Sequence, residues 1–191
     1  IANLLLKIFP GKLIGIKHLI NLTFSFSALI GLFVISKKIF NKRVAYLATF
    51  LCLINPFFFG HMSINPKDTI SCFALVWFAY SVYMYCINFE KKRLRFLLLA
   101  SFFMGVGVGT RLPFFVVPIP IIISAIIFIT VTYKDKFKKY QVFKKIFFDF
   151  LIFCSITFFL MIVAWPYVHS SPDILVKAFT SYVLYPHGPV L

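Results

Sequence analysis

The chain has 191 residues, 61% of them apolar and 13% charged, with a mean hydropathy of +0.96 and a net charge of +15. A soluble domain of this length needs far more polar surface, so the composition excludes a water-soluble globule and points to lipid as the main solvent. The charge does not signal nucleic acid: fourteen of the twenty Lys and Arg residues fall in three clusters, 37–43, 91–95 and 134–145, and membrane topology accounts for them.

Residues 1–17, with Lys7, Pro10, Gly11, Lys12 and Lys17, read as an outer interfacial segment. A hydrocarbon core takes about 20 apolar residues as helix. The first candidate span covers residues 18–36. The second, 44–60, is shorter and carries Asn55-Pro56 near its outer end. The third, 70–88, brings Tyr80, Tyr83 and Tyr85 towards the basic interface. The fourth, 96–109, is short, and charge decides in its favour. Unless it crosses, the lysines of 134–145 fall on the opposite side from the other two clusters. Arg95 and Arg111 can snorkel and lengthen it. The fifth span, 113–132, has Pro118 and Pro120 to kink its outer half. The sixth, 147–165, ends in Trp165-Pro166-Tyr167, where aromatic rings suit the interface. Ser171-Pro172-Asp173 resembles a helix start, and a short surface helix is expected over 173–184.

The expected fold is therefore all-α, a polytopic bundle of about six spanning helices with short outer interfacial helices. Two apolar stretches separate each basic cluster from the next, so loops 37–43, 91–95 and 134–145 share one side, the cytoplasmic one. The chain starts at Ile1 and reads as a single transmembrane domain, 1–191, cut from a longer protein at both ends. Cys52, Cys72, Cys86 and Cys154 lie in apolar stretches without paired spacing and read as small buried hydrophobes.

Reactive groups are scarce on the outer face. In His61-Met62-Ser63-Ile64-Asn65-Pro66-Lys67-Asp68-Thr69, Asn65 suits a helix N-cap, Pro66 the first helical position and Asp68 the third, where a carboxylate favours the dipole. The same Asp68 could face a polar cleft with Lys67 or His61 beside it, and the two readings are compatible. Arg111 is either an interfacial snorkel or a guanidinium that grips a lipid phosphate. Ser101, Gly105 and Gly109, four residues apart, form a stripe for close helix packing. His18, His61, His169 and His187 with Asp68 and Asp173 could form a metal site, although no two have a recognised ligand spacing. Asp149 reads as interfacial, near the basic end of the sixth span.

The order of basic turn 37–43, Asn55-Pro56-Phe57-Phe58-Phe59-Gly60-His61, Asn65-Pro66-Lys67-Asp68 and Gly105-Val106-Gly107-Val108-Gly109-Thr110-Arg111 resembles the C-type-fold membrane glycosyltransferases. The branch it resembles holds the bacterial relatives of protein O-mannosyltransferases and lipid A aminoarabinose transferases. Trp165-Pro166-Tyr167 and Tyr185-Pro186-His187-Gly188-Pro189 are similar to the segment leading into that branch's later outer loops.

The resemblance implies a bacterial inner-membrane enzyme that moves a sugar from a polyprenyl-phosphate donor to a lipid, glycan or protein acceptor on the periplasmic face. It implies Asp68 as a supporting carboxylate, Lys67 and Arg111 as contacts to the donor phosphate, and His61 as a further candidate. The main catalytic base of the family would lie in an outer loop preceding Ile1. No cofactor is evident, and a divalent metal, used by some enzymes of this fold, stays open. The rival reading is a multispanning transporter or a non-catalytic membrane subunit. A transporter would carry ionisable groups near the span centres, where this chain has almost none.

Overall fold

A computed structural model describes residues 13–133 and 139–165, together with Asp173, Val176, Lys177 and Thr180. The described residues form helices α1 (Leu13–Ile39), α2 (Lys42–Ile54), α3 (Pro56–Ile64), α4 (Pro66–Ile87) and α5 (Arg93–Thr110). A 3-10 turn (Leu112–Phe115) follows, then α6 (Ile119–Thr132) and α7 (Lys139–Ala164). Among them no strand occurs. Asp173, Val176, Lys177 and Thr180 are helical, as a helix over 173–184 requires; the rest of that segment lies outside the described residues.

Among the described residues five helical stretches are long and apolar enough to cross a membrane, and the α2–α3 pair is a sixth candidate, bent by 69°. The span expected over 44–60 is thus broken into two helices at Asn55. The cause is local. A residue before proline is driven out of the helical region, and Asn55 sits at φ −63°, ψ 117°. Its Oδ1 then accepts from the N–H groups of Phe57 and Phe58 at 3.0 and 3.2 Å, so the break is also a helix start. Asn65-Pro66 repeats the device ten residues on.

Other boundaries also move. Residues 13–17 belong to α1 and not to an interfacial segment, and residues 1–12 lie outside the described part. The fifth span begins as a 3-10 turn, with its α-helix starting only at Ile119 behind the buried Pro118. The sixth begins at Lys139, eight residues before the expected 147, because Lys and Gln extend a helix readily once hydropathy has fallen.

The main core joins α4, α5, the 3-10 turn and α7 through Phe78, Ala100, Met104, Leu112, Phe114 and Met161. The small-residue stripe does what its spacing suggests. A Cβ on Gly105 would lie 2.6 Å from Leu160 Cβ, and one on Gly109 would lie 2.6 Å from Ala164 Cβ. Thr157 Oγ1 donates to the Ser101 carbonyl at 3.4 Å along the same seam. Outward faces carry large apolar side chains, among them Ile127, Val131 and Phe159, each more than half exposed. Such a surface would aggregate in water and suits lipid. Of the four cysteines only Cys86 is buried; Cys52 and Cys72 are half-buried and Cys154 is exposed on the outside of the bundle, against the expectation that all four are buried.

Long-range contacts sort the helix ends into two groups. At one end Tyr83 Oη donates to the Lys38 carbonyl, Tyr133 Oη donates to the Cys86 carbonyl, and Arg93 meets Asp149. The segments around Lys38 and Arg93 and the start of α7 thus gather on one basic side. At the other end Asp68 meets Arg111, and Trp165 Nε1 donates to the Gly109 carbonyl at 2.7 Å.

Candidate functional site

Three helix ends build a polar cluster on the side away from Lys38, Arg93 and Lys145. Asn65 caps α4: its Oδ1 accepts the Asp68 N–H at 3.3 Å, and its Nδ2 donates to Asp68 Oδ2 at 2.6 Å. One side chain therefore starts the helix and also orients the carboxylate of its third residue. Thr69 Oγ1 donates to the His61 and Asn65 carbonyls at 3.2 and 2.8 Å, stitching α3 to α4 across the second Asn-Pro break.

Arg111 reaches the same carboxylate from the far end of α5. Its Nη1 donates to Asp68 Oδ1 across 43 residues of sequence. The guanidinium side chain is 51% exposed and the carboxylate 33%. An ion pair this open stabilises the fold by only about 0–1 kcal/mol, so its significance is positional. Arg111 engages the carboxylate through Nη1, and a guanidinium has five N–H donors in a fixed fork, so it can also receive an anion.

His61 approaches from α3. Its ring stacks on Phe57 with centroids 4.4 Å apart, and its Nδ1 lies 3.3 Å from Asp68 Oδ2. The angle does not meet hydrogen-bond geometry, and the buried Nδ1 has no directed partner. Its contact with the carboxylate is the 3.3 Å approach alone.

His61 and Asp68 open onto a cavity of about 330 Å³, also lined by Ser25, Asn55, Thr69 and Cys72. Ser25, buried in the middle of α1, donates through Oγ to the Met62 carbonyl at 3.4 Å and anchors α3 beside it. The structure thus unites Asp68, Arg111 and His61. It does not bring in Lys67, which is exposed and makes no ion pair with Asp68. Sequence reasoning missed Ser25, Asn55 and Cys72 as cavity residues. The one available signal was the Asn55-Pro56 dipeptide, which turns α3 back towards α1. Among the described residues no group of three His, Cys, Asp or Glu side chains is arranged to hold a metal, and His169 and His187 lie outside them.

On the basic side Asp149 is packed inside the bundle, with its side chain 3% exposed. Arg93 Nε donates to its Oδ2 at 2.9 Å, and Tyr85 Oη donates to the same oxygen at 2.8 Å.

A family model described as dolichyl-phosphate-mannose-protein mannosyltransferase matches residues 1–165. The chain belongs to this family. Membership makes it a membrane glycosyltransferase, in agreement with the bundle and with the resemblance seen in the motifs. The matched region holds the whole Asp68–Arg111–His61 cluster. Comparison with curated proteins and with solved structures gave no match.

Proposed function

We propose that the protein transfers a sugar from a polyprenyl-phosphate donor to an acceptor hydroxyl, at the face of the bundle away from the clusters around Lys38, Arg93 and Lys145. The observation that carries this reading is the convergence of His61 and Arg111 on Asp68, with Asp68 and His61 lining a cavity. Under this reading the donor chain stays in lipid while its phosphate reaches the interface. The acceptor oxygen attacks the anomeric carbon, the bond from that carbon to the phosphate oxygen breaks, and the phosphate leaves with the electron pair. Arg111 stabilises the charge that develops on it, and Lys67 adds a longer-range contribution from the exposed first turn of α4.

The acceptor proton goes to a carboxylate base. Asp68 supports that step by orienting the acceptor and by holding Arg111 in place. His61 supplies a polar edge to the cavity. The proposed setting is the bacterial inner membrane, with the basic segments cytoplasmic and the site periplasmic.

The test uses the full-length enzyme in membranes with a labelled polyprenyl-phosphate sugar. Asp68→Asn and Arg111→Ala should each lower transfer by about 10²-fold, the scale of a lost transition-state charge contact. Unchanged transfer in both variants would overturn the assignment.

A further inference from the structure

A second polar cavity, about 480 Å³, opens on the opposite, basic side between the starts of α5 and α7. Among the described residues Arg93, Gln141, Lys144, Lys145 and Phe148 line it. Gln141, Lys144, Lys145 and Phe148 recur at helical spacing and so form one face of α7. Asp149 follows directly, and its ion pair with Arg93 through Nε fixes the guanidinium of α5 against that face.

Depth fixes the surroundings of this cavity. A hydrocarbon core takes about 20 helical residues, and counting that number back from Ala164 reaches Lys145. The cavity therefore straddles the boundary between headgroups and acyl chains. Phe148, 51% exposed, lies just inside it, and the exposed Lys144 and Gln141 lie just outside. A cationic pocket between spanning helices at this level matches an anionic headgroup, with the aromatic ring against the first methylenes of the chain.

We propose that this cavity is a binding site for an anionic phospholipid, whose phosphate is held by Arg93 and Lys144 and whose polar headgroup meets Gln141 and Lys145. The site is separate from the Asp68 cluster and does not depend on the transfer reaction. A bound lipid would bridge α5 and α7 outside their Gly105–Leu160 seam.

The experiment is native mass spectrometry of the full chain in mild detergent, titrated with phosphatidylglycerol, phosphatidylcholine or inorganic phosphate. Phosphatidylglycerol should be retained in preference to phosphatidylcholine. Lys144→Gln with Lys145→Gln should weaken its retention by roughly 10- to 30-fold, at about fivefold per cation. The control Lys37→Gln with Lys38→Gln removes the same charge from another cluster and should leave retention unchanged. Equal losses in both double variants would mean diffuse electrostatics and overturn the site. Displacement of phosphatidylglycerol by inorganic phosphate would make the ligand a soluble anion and overturn the lipid assignment. Both double variants change exposed or half-buried side chains, and an unchanged thermal midpoint verifies that the fold is intact.

Discussion

Asp149–Arg93 and Asp68–Arg111 use the same chemistry in opposite ways. Asp149–Arg93 on the basic side is closed: the carboxylate is buried, takes two hydrogen bonds on one oxygen, and ties α4, α5 and α7 together. Asp68–Arg111 on the other side is open: both partners are partly exposed, and the carboxylate adjoins a histidine and a cavity. Removing one partner of a buried pair strands a charge in a low-dielectric interior, whereas removing one partner of an open pair exposes a charge to water. Fold stability should therefore depend on the first pair, and chemistry on the second. Helix α5 joins them, with Arg93 at its start and Arg111 just past its end.

The largest effect should follow from Arg93→Ala. It leaves Asp149 unpaired and should destabilise the bundle by about 3–5 kcal/mol, read as a lowered thermal midpoint in detergent. Transfer per folded molecule should stay near that of the parent protein. Replacing both partners, as Arg93→Met with Asp149→Leu, should recover most of that loss, since an apolar pair of similar volume carries no stranded charge. If the double variant is no better than the single, the pair is not what holds these helices.

Arg111→Ala should reverse the pattern, with transfer down by about 10²-fold and the midpoint nearly unchanged. Arg111→Lys should recover only part of the activity, because an ammonium cannot reproduce the guanidinium fork. A large fall in midpoint for Arg111→Ala would erase the contrast between the two pairs.

Gly105→Leu tests the rod between them. The added side chain collides with Leu160 and should cost about 1–3 kcal/mol. By pushing α5 from α7 it should also lower transfer, which an effect confined to one end of the helix would not do. Lys67→Ala should have the smallest effect. As an exposed residue outside the ion pairs it should weaken donor binding by about fivefold or less, seen in KM and not in kcat.

What could be read in the sequence was what chemistry makes local. Asn65, Pro66 and Asp68 are consecutive parts of one helix start, so their spacing alone specified the cap. The Ser101, Gly105 and Gly109 stripe was legible because a helix repeats its face every four residues. The break at Asn55 was hidden because hydropathy runs through it without a dip, although the pre-proline rule was available. The burial of Asp149 could not be read, since it depends on Arg93, 56 residues away, and on Tyr85. Arg111 could be assigned to the side of Asp68 from charge alone, but their direct contact required the packing of α4 on α5.

The bend at Asn55 has a consequence for depth. Helix α2 has only 13 residues, a rise of about 20 Å, against a hydrocarbon thickness of about 30 Å. With Lys42 at the basic boundary, the chain turns aside while still roughly 10 Å short of the far headgroups. His61 then sits below the level at which a full-length helix would have carried it. Spin labels at Gly60 should therefore be quenched by both aqueous and lipid-borne relaxants. Under the proposed function, a polyprenyl-phosphate donor would need only to tilt its phosphate sideways, without rising out of the leaflet, to present its sugar.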